Sequence, residues 1–143
     1  GWDDPCPWND GQSVGAALLT PTRLYVKQAL SAIRAGGVHA LAHITGGGLT
    51  ENLPRILPGD LGVEIDLNAW QLPPVFSWMA QAGGISHDEM LKTFNCGIGM
   101  VLVVSATEAN ALHSLLEEAG ETVVRLGRVT DAETGVVYSG QLS

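Results

Sequence analysis

The chain has 143 residues, enough for one domain with a buried core, and 45% hydrophobic against 15% charged residues excludes a disordered chain. A formal charge of -8, with only seven scattered Lys and Arg, argues against nucleic acid, whose phosphates are bound by clustered cations. Apolar runs such as Met100–Val104 are too short to span a membrane, which leaves no membrane role to expect.

Residues 1–17 read as an irregular lead or linker, because Pro5, Pro7, Gly11 and Gly15 interrupt any period. Trp2 and Trp8 in that lead are expected to pack on something. The domain proper is expected over residues 18–143. A helix is predicted over Pro21–Ala35, with Thr20 as its cap and Pro21 in the first turn. Val26, Leu30 and Ile33 would form its apolar stripe, and Gly36-Gly37 would end it. Val38–Ile44 reads as a strand running into Thr45-Gly46-Gly47-Gly48. A further helix should reach about Leu57, and Pro54 fits a first helical position with Leu53 or Asn52 as cap. Gly62–Asp66 alternates as a strand, and Pro73–Ala82 and Ser86–Thr93 read as helices. Met100–Val104 is expected as a buried strand and Thr107–Ala119 as a helix with Leu112, Leu115 and Leu116 inward. Glu121–Val129 reads as a strand and Val136–Ser139 as an edge strand after a turn at Glu133-Thr134-Gly135. Trp70 and Trp78 are assigned to the core. Strands alternating with helices give an α/β or α+β class, a mixed sheet with helices packed on it.

The stretch Ala42–Arg55, AHITGGGLTENLPR, carries the strongest chemical signal. Glycine permits positive φ and leaves no Cβ in the way of a ligand, and amides at a helix start are unpaired. His43, Thr45, Asn52 and Arg55 add hydrogen-bonding groups to the same turn. With few cations in the chain, an anionic ligand would be held by backbone amides and local side chains. Cys6 and Cys96 lie far apart and outside any C-x-x-C pair, so no disulfide framework or zinc site is expected, and a reducing, cytoplasmic setting fits. No histidine pair has metal-ligand spacing, so no metal ligand is assigned in this chain.

Four segments occur in order: LLTPTRLYVK (Leu18–Lys27), AHITGGGLTENLPR (Ala42–Arg55), PPVFSWM (Pro73–Met79) and EMLKTFNCGIGMVLVV (Glu89–Val104). Together they resemble the C-terminal domain of the phosphoribosylformylglycinamidine cyclo-ligase (aminoimidazole ribonucleotide synthetase) family, over about Leu18 to Val129. The resemblance implies an enzyme that uses ATP and Mg2+ to activate the formyl-amide oxygen of formylglycinamidine ribonucleotide as a phosphate. A nitrogen then closes the ring and expels that phosphate, giving aminoimidazole ribonucleotide in purine biosynthesis. It also implies a homodimer, with the active site in a cleft between an N-terminal domain and this one. The sequence has no counterpart of that N-terminal half, which would hold most nucleotide and magnesium ligands. The chain is therefore expected to be a fragment, inactive alone, whose uncovered surface leaves an apolar patch.

Within that frame His43 is the candidate catalytic residue, donating to the activated oxygen or shuttling a proton. Thr45, Gly46, Gly47, Gly48, Asn52 and Arg55 are the candidate substrate-binding residues for a small phosphorylated molecule. Arg55 either clamps a phosphate or pairs with Glu51 one turn away. Asn52 is read as a ligand contact, with an N-cap as the plainer role. His39 is read as structural or exposed, and His87 and His113 as surface residues. Cys96 is read as a small buried hydrophobe and Asn95 as a brace for a neighbouring loop. Two other functions stay open: a non-catalytic ligand-binding or interaction module built on the same fold, and a domain of a related superfamily kinase.

Overall fold

The alternating apolar stretches become five short strands, which a computed structural model describing residues 1–143 sorts into two sheets. In chain order the elements are α1 (Val14–Leu18), α2 (Val26–Ala35), β1 (Val38–His43), α3 (Gly48–Asn52), β2 (Gly62–Asp66), α4 (Pro74–Gly83), α5 (His87–Thr93), β3 (Met100–Val104), α6 (Ala109–Glu118), β4 (Gly127–Thr130) and β5 (Gly135–Ser139). Single 3-10 turns, Pro54–Ile56 and Leu67–Ala69, follow α3 and β2. The mixed α/β class stands as expected. Its sheet is divided: β1 and β3 form an antiparallel pair, and β4-β2-β5 form a second sheet. No helix is long and apolar enough to cross a membrane.

In the first sheet His43 stands opposite Met100 and Leu41 opposite Leu102, and a bulge between Val38 and Ala40 shifts the register. In the second, β2 runs antiparallel to β4 and parallel to β5. The turn before Gly135 therefore does not close a hairpin. It carries the chain across the end of β2, so close that a Cβ on Gly62 would meet the Glu133 carbonyl oxygen at 2.1 Å. Period-2 patterning places Val63 and Ile65 of β2 in the core. They join Ile44, Leu49 and Leu53 around the glycine turn, Met90 and Leu91 of α5, Cys96 and Trp70. The Trp70 indole N–H donates to the Cys96 carbonyl at 2.9 Å.

Several expectations are corrected. The second helix begins at Val26, not Pro21, and Tyr25 precedes it without a side-chain cap. Residues 21–25 are held out of the helix by tertiary bonds: Arg23 reaches the Gly120 carbonyl at 3.0 Å and the Glu121 carboxylate at 2.9 Å. The stripe on α2 faces solvent, with Val26 65% exposed, while its buried residue is Ala32. The lead is partly ordered: Ser13 caps α1, Pro5 bridges Ser13, and Cys6 is buried. Trp8 stacks on Trp78 with centroids 4.7 Å apart, whereas Trp2 stays largely exposed. Trp78 is exposed at the surface rather than in the core. The strand expected over Glu121–Val129 is reduced to Gly127–Thr130, and β3 is half-buried along its whole length rather than buried.

Candidate functional site

The four segments singled out in the sequence meet at one end of the β1–β3 pair. Tyr25 stands edge-on to His43, ring centroids 6.1 Å apart. Its hydroxyl lies 2.0 Å from where a Cβ on Gly99 would sit, so Gly99 is the seat for Tyr25. Gly97, at φ +95, is covered by the Pro73 ring in the same way. The Ile44 amide donates to the Gly99 carbonyl at 2.9 Å, which ties the start of the glycine turn to the approach to β3.

The three glycines have different tasks. Gly48, at φ +56, is buried, and a Cβ there would lie 2.0 Å from the Leu91 carbonyl oxygen. It is a close-approach point between α3 and α5, and its amide already donates to the Thr45 carbonyl. Gly47, at φ +99, precedes α3 in a left-handed conformation that glycine adopts without strain. Gly46 is different: its φ is not positive, and a Cβ there would touch nothing within 4 Å. The fold itself does not require glycine at 46.

Asn52 sets the turn's polarity. Its side chain is buried, and its amide Nδ2 donates to the carbonyls of Gly48 at 2.8 Å, Gly46 at 3.3 Å and Thr45 at 3.4 Å. In a trans peptide the next N–H points opposite to the carbonyl. Three carbonyls drawn onto Asn52 therefore turn the amides of Gly46, Gly47 and Leu49 away from it. None of these three amides has a partner within the chain, and since Leu49 is fully buried the outward donors are those of Gly46 and Gly47. Thr45 and Gly46 are exposed, so the outward donors at this end of the turn meet solvent. Asn52 is thus a brace inside the turn, neither an N-cap nor a group free to reach outward.

Arg55 makes the pairing anticipated with Glu51, at 3.0 Å, and its second arm reaches the Asn52 amide oxygen at 3.4 Å. The Glu51 carboxylate lies above Gly47, within 2.8 Å of where its Cβ would be. The local charge is balanced, and the backbone supplies the unpaired donors. His43 and Thr45 are exposed, and neither side chain is hydrogen-bonded within the chain. His43 ends β1 just ahead of the turn, so an exposed imidazole and an exposed hydroxyl flank the unpaired amides of Gly46 and Gly47.

The remaining candidates take structural places. The His39 ring bonds the Ser105 hydroxyl at 2.8 Å, and His87 is exposed. His113 is half-buried, facing Glu117 at 3.4 Å, rather than a free surface residue. Cys96 is fully buried, and that burial pushes its thiol up to about 11, so it is protonated and inert at neutral pH. The Asn95 side chain accepts from the Gly97 amide at 3.0 Å, bracing its own turn rather than a neighbouring one. Tyr138 bonds Thr50 at 2.9 Å, and burial raises its phenol above the ordinary value. Two contributors escaped the sequence reading: Tyr25 as the wall beside His43, and Asn52 as the orienting group. Tyr25 lies within LLTPTRLYVK, so the segment was marked but the residue was not.

A family model described as AIR synthase related protein, C-terminal domain, matches residues 1–140, the lead segment included. That match spans nearly the whole chain and every element around the turn, so the chain belongs to the family of AIR synthase related proteins, as their C-terminal domain.

Proposed function

We propose that this domain is the substrate-side wall of an ATP-dependent cyclo-ligase that converts formylglycinamidine ribonucleotide to aminoimidazole ribonucleotide. The observation that carries the reading is Gly46: a glycine the fold does not need, exposed, with the outward amides of Gly46 and Gly47 beside it. Omitting a Cβ there serves close approach by something outside the chain. Donors fixed in advance suit a phosphate or an activated amide oxygen, because they need not reorganise as charge develops. In this reading Thr45 adds a hydroxyl donor, Arg55 restrains the Glu51 carboxylate, and His43 serves the reacting oxygen or nitrogen. ATP supplies the phosphoryl group that turns the amide oxygen into a leaving group. No three His, Cys, Asp or Glu side chains come together on this chain. This reading therefore routes no step of this domain through magnesium. Nucleotide and metal are assigned to an N-terminal domain across the cleft, in a homodimeric cytoplasmic enzyme.

The test is a titration of this chain with formylglycinamidine ribonucleotide, followed by amide resonances. Gly46 and Gly47 should shift first, and Gly46→Ala should weaken binding roughly tenfold, about 1.4 kcal/mol. Shifts confined to another surface, or equal affinity in the Gly46→Ala variant, refute the site. In an active enzyme carrying this domain, His43→Ala should lower kcat more than it raises KM.

A further inference from the structure

His43 ends β1 with an exposed imidazole that no hydrogen bond within the chain holds. An exposed ring on an unbonded side chain samples several staggered rotamers. A group that must meet a reacting atom gains from losing that freedom in advance. The aromatic partner of this ring is Tyr25, with centroids 6.1 Å apart and an interplanar angle of 63°. Edge-to-face rings at such separations attract, and a contact of that kind favours one ring position over others by about two- to tenfold.

Tyr25 is itself held on several sides. Its side chain enters the space left by Gly99, where a Cβ would sit 2.0 Å from the hydroxyl oxygen and 2.9 Å from Cζ. Gly99 has no positive φ, so its backbone would accept another residue, and the missing Cβ serves the Tyr25 ring. On the C-terminal side, the Tyr25 carbonyl accepts from the Ala29 amide at 2.9 Å and so starts α2. On the N-terminal side, Arg23 docks on the end of α6. That end is closed by glycine: Gly120 takes φ +85, its amide donates to the Glu117 carbonyl at 2.9 Å, and the Glu121 amide donates to the Leu116 carbonyl at 3.0 Å. Arg23 donates to the Gly120 carbonyl at 3.0 Å, at the negative end of the helix, where a guanidinium is favoured. Its Nε pairs at 2.9 Å with the Glu121 carboxylate, which is only 13% exposed and so little screened.

We propose that Tyr25 is a positioning residue for His43: the capping turn of α6 holds Arg23, Arg23 and Gly99 hold the Tyr25 ring, and that ring holds the imidazole in the orientation from which it serves the reacting group. This role rests on the reading of His43 given above. The Tyr25 ring does the holding and its hydroxyl does not, so a substitution that keeps the ring keeps the function.

The contact is read on this chain without ligand, from the Hδ2 and Hε1 resonances of His43 and their cross-peaks to the Tyr25 ring. Tyr25→Phe should leave the resonances in place. Tyr25→Leu should move them to the values of an unrestrained histidine, and Arg23→Gln should weaken the cross-peaks; the Arg23 variant decides if Tyr25→Leu does not fold. The role is read in an active enzyme carrying this domain. There Tyr25→Leu should lower kcat about three- to tenfold with KM within about twofold, and Tyr25→Phe should stay within about twofold of wild type. Added to His43→Ala, Tyr25→Leu should cost nothing further, because the two residues act as one unit. His43 resonances unmoved by Tyr25→Leu or Arg23→Gln overturn the proposal. Equal losses in Tyr25→Phe and Tyr25→Leu overturn it in favour of a hydroxyl that touches substrate directly. A further loss on top of His43→Ala overturns it in favour of a general structural role. An unchanged kcat in His43→Ala overturns the reading of His43 itself, and this role with it, even where the ring contact is seen.

Discussion

Replacing Asn52 by Asp exchanges one NH2 group for an oxygen, and the geometry makes that exchange severe. The Nδ2 atom donates to three carbonyls between 2.8 and 3.4 Å. A carboxylate there would instead face three oxygens inside a buried turn. Loss of a buried donor costs about 1–3 kcal/mol. With a urea dependence of roughly 1–3 kcal/mol per molar, the unfolding midpoint should fall by about 1 M at pH 7.5. The deficit should also depend on pH. A protonated carboxyl donates once, so the folded state favours the acid and holds its pKa above the unfolded value of about 3.9. The penalty is then complete above the raised pKa and fades as the pH falls towards 4. Asn52→Leu, which never donates, should show a deficit relative to wild type that does not change with pH. Urea titrations at pH 4.5 and 7.5, followed by far-UV dichroism, read both effects. An Asn52→Asp variant as stable as wild type at pH 7.5, or one whose deficit is the same at both pH values, would refute the bracing role.

Gly48→Ala should destabilise by about 3 kcal/mol or more, combining left-handed strain with overpacking against the Leu91 carbonyl. Gly46→Ala should stay within about 0.5 kcal/mol of wild type; comparable losses in thermal unfolding would remove the distinction between a packing glycine and a ligand glycine. Cys96 keeps its proton in the folded state up to about 11, whereas its ordinary value is 9.0. Unfolding would release that proton first, so stability should be full below pH 9 and decline as the pH rises towards 11, by about 1–2 kcal/mol. Urea titrations of wild type and Cys96→Ala across that window check it, and an equal slope in the two proteins would contradict it.

Much of the chain is readable because its local chemistry and its tertiary packing agree. Ser86–Thr93 reads as a helix, and α5 forms there with the Ser86 hydroxyl capping its first turn. Gly62–Asp66 alternates and is a strand with one face buried. Disagreement arises where a distant group decides. Pro21 has good first-turn chemistry, yet Arg23 bonds to residues near Gly120 and pulls the segment straight. The spacing of Val26, Leu30 and Ile33 reveals a face but not what that face meets. At the site, the glycine turn was visible because backbone freedom is written in residue type. The work of Asn52 was not, since nothing in an Asn four residues after a glycine says that its amide turns back to gather carbonyls. The difference between Gly46 and Gly48 was equally hidden, because it depends on α5 lying behind one and open space lying before the other.

No ladder in this domain is closed by a hairpin. His43 pairs with Met100, Ile65 with Gly127, and Gly62 with both Thr130 and Gly135. Every strand must therefore wait for a partner from a remote part of the chain, and large loops must close before any pairing repays their entropy. Such a topology folds slowly, with short helices forming and dissolving long before the sheets assemble. The crossing over Gly62 is the tightest of these closures, since a Cβ there would meet the Glu133 carbonyl oxygen at 2.1 Å. Through that interval the strand edges are exposed to other molecules, so recovery from denaturant should be best in dilute solution, where intramolecular closure outruns collision.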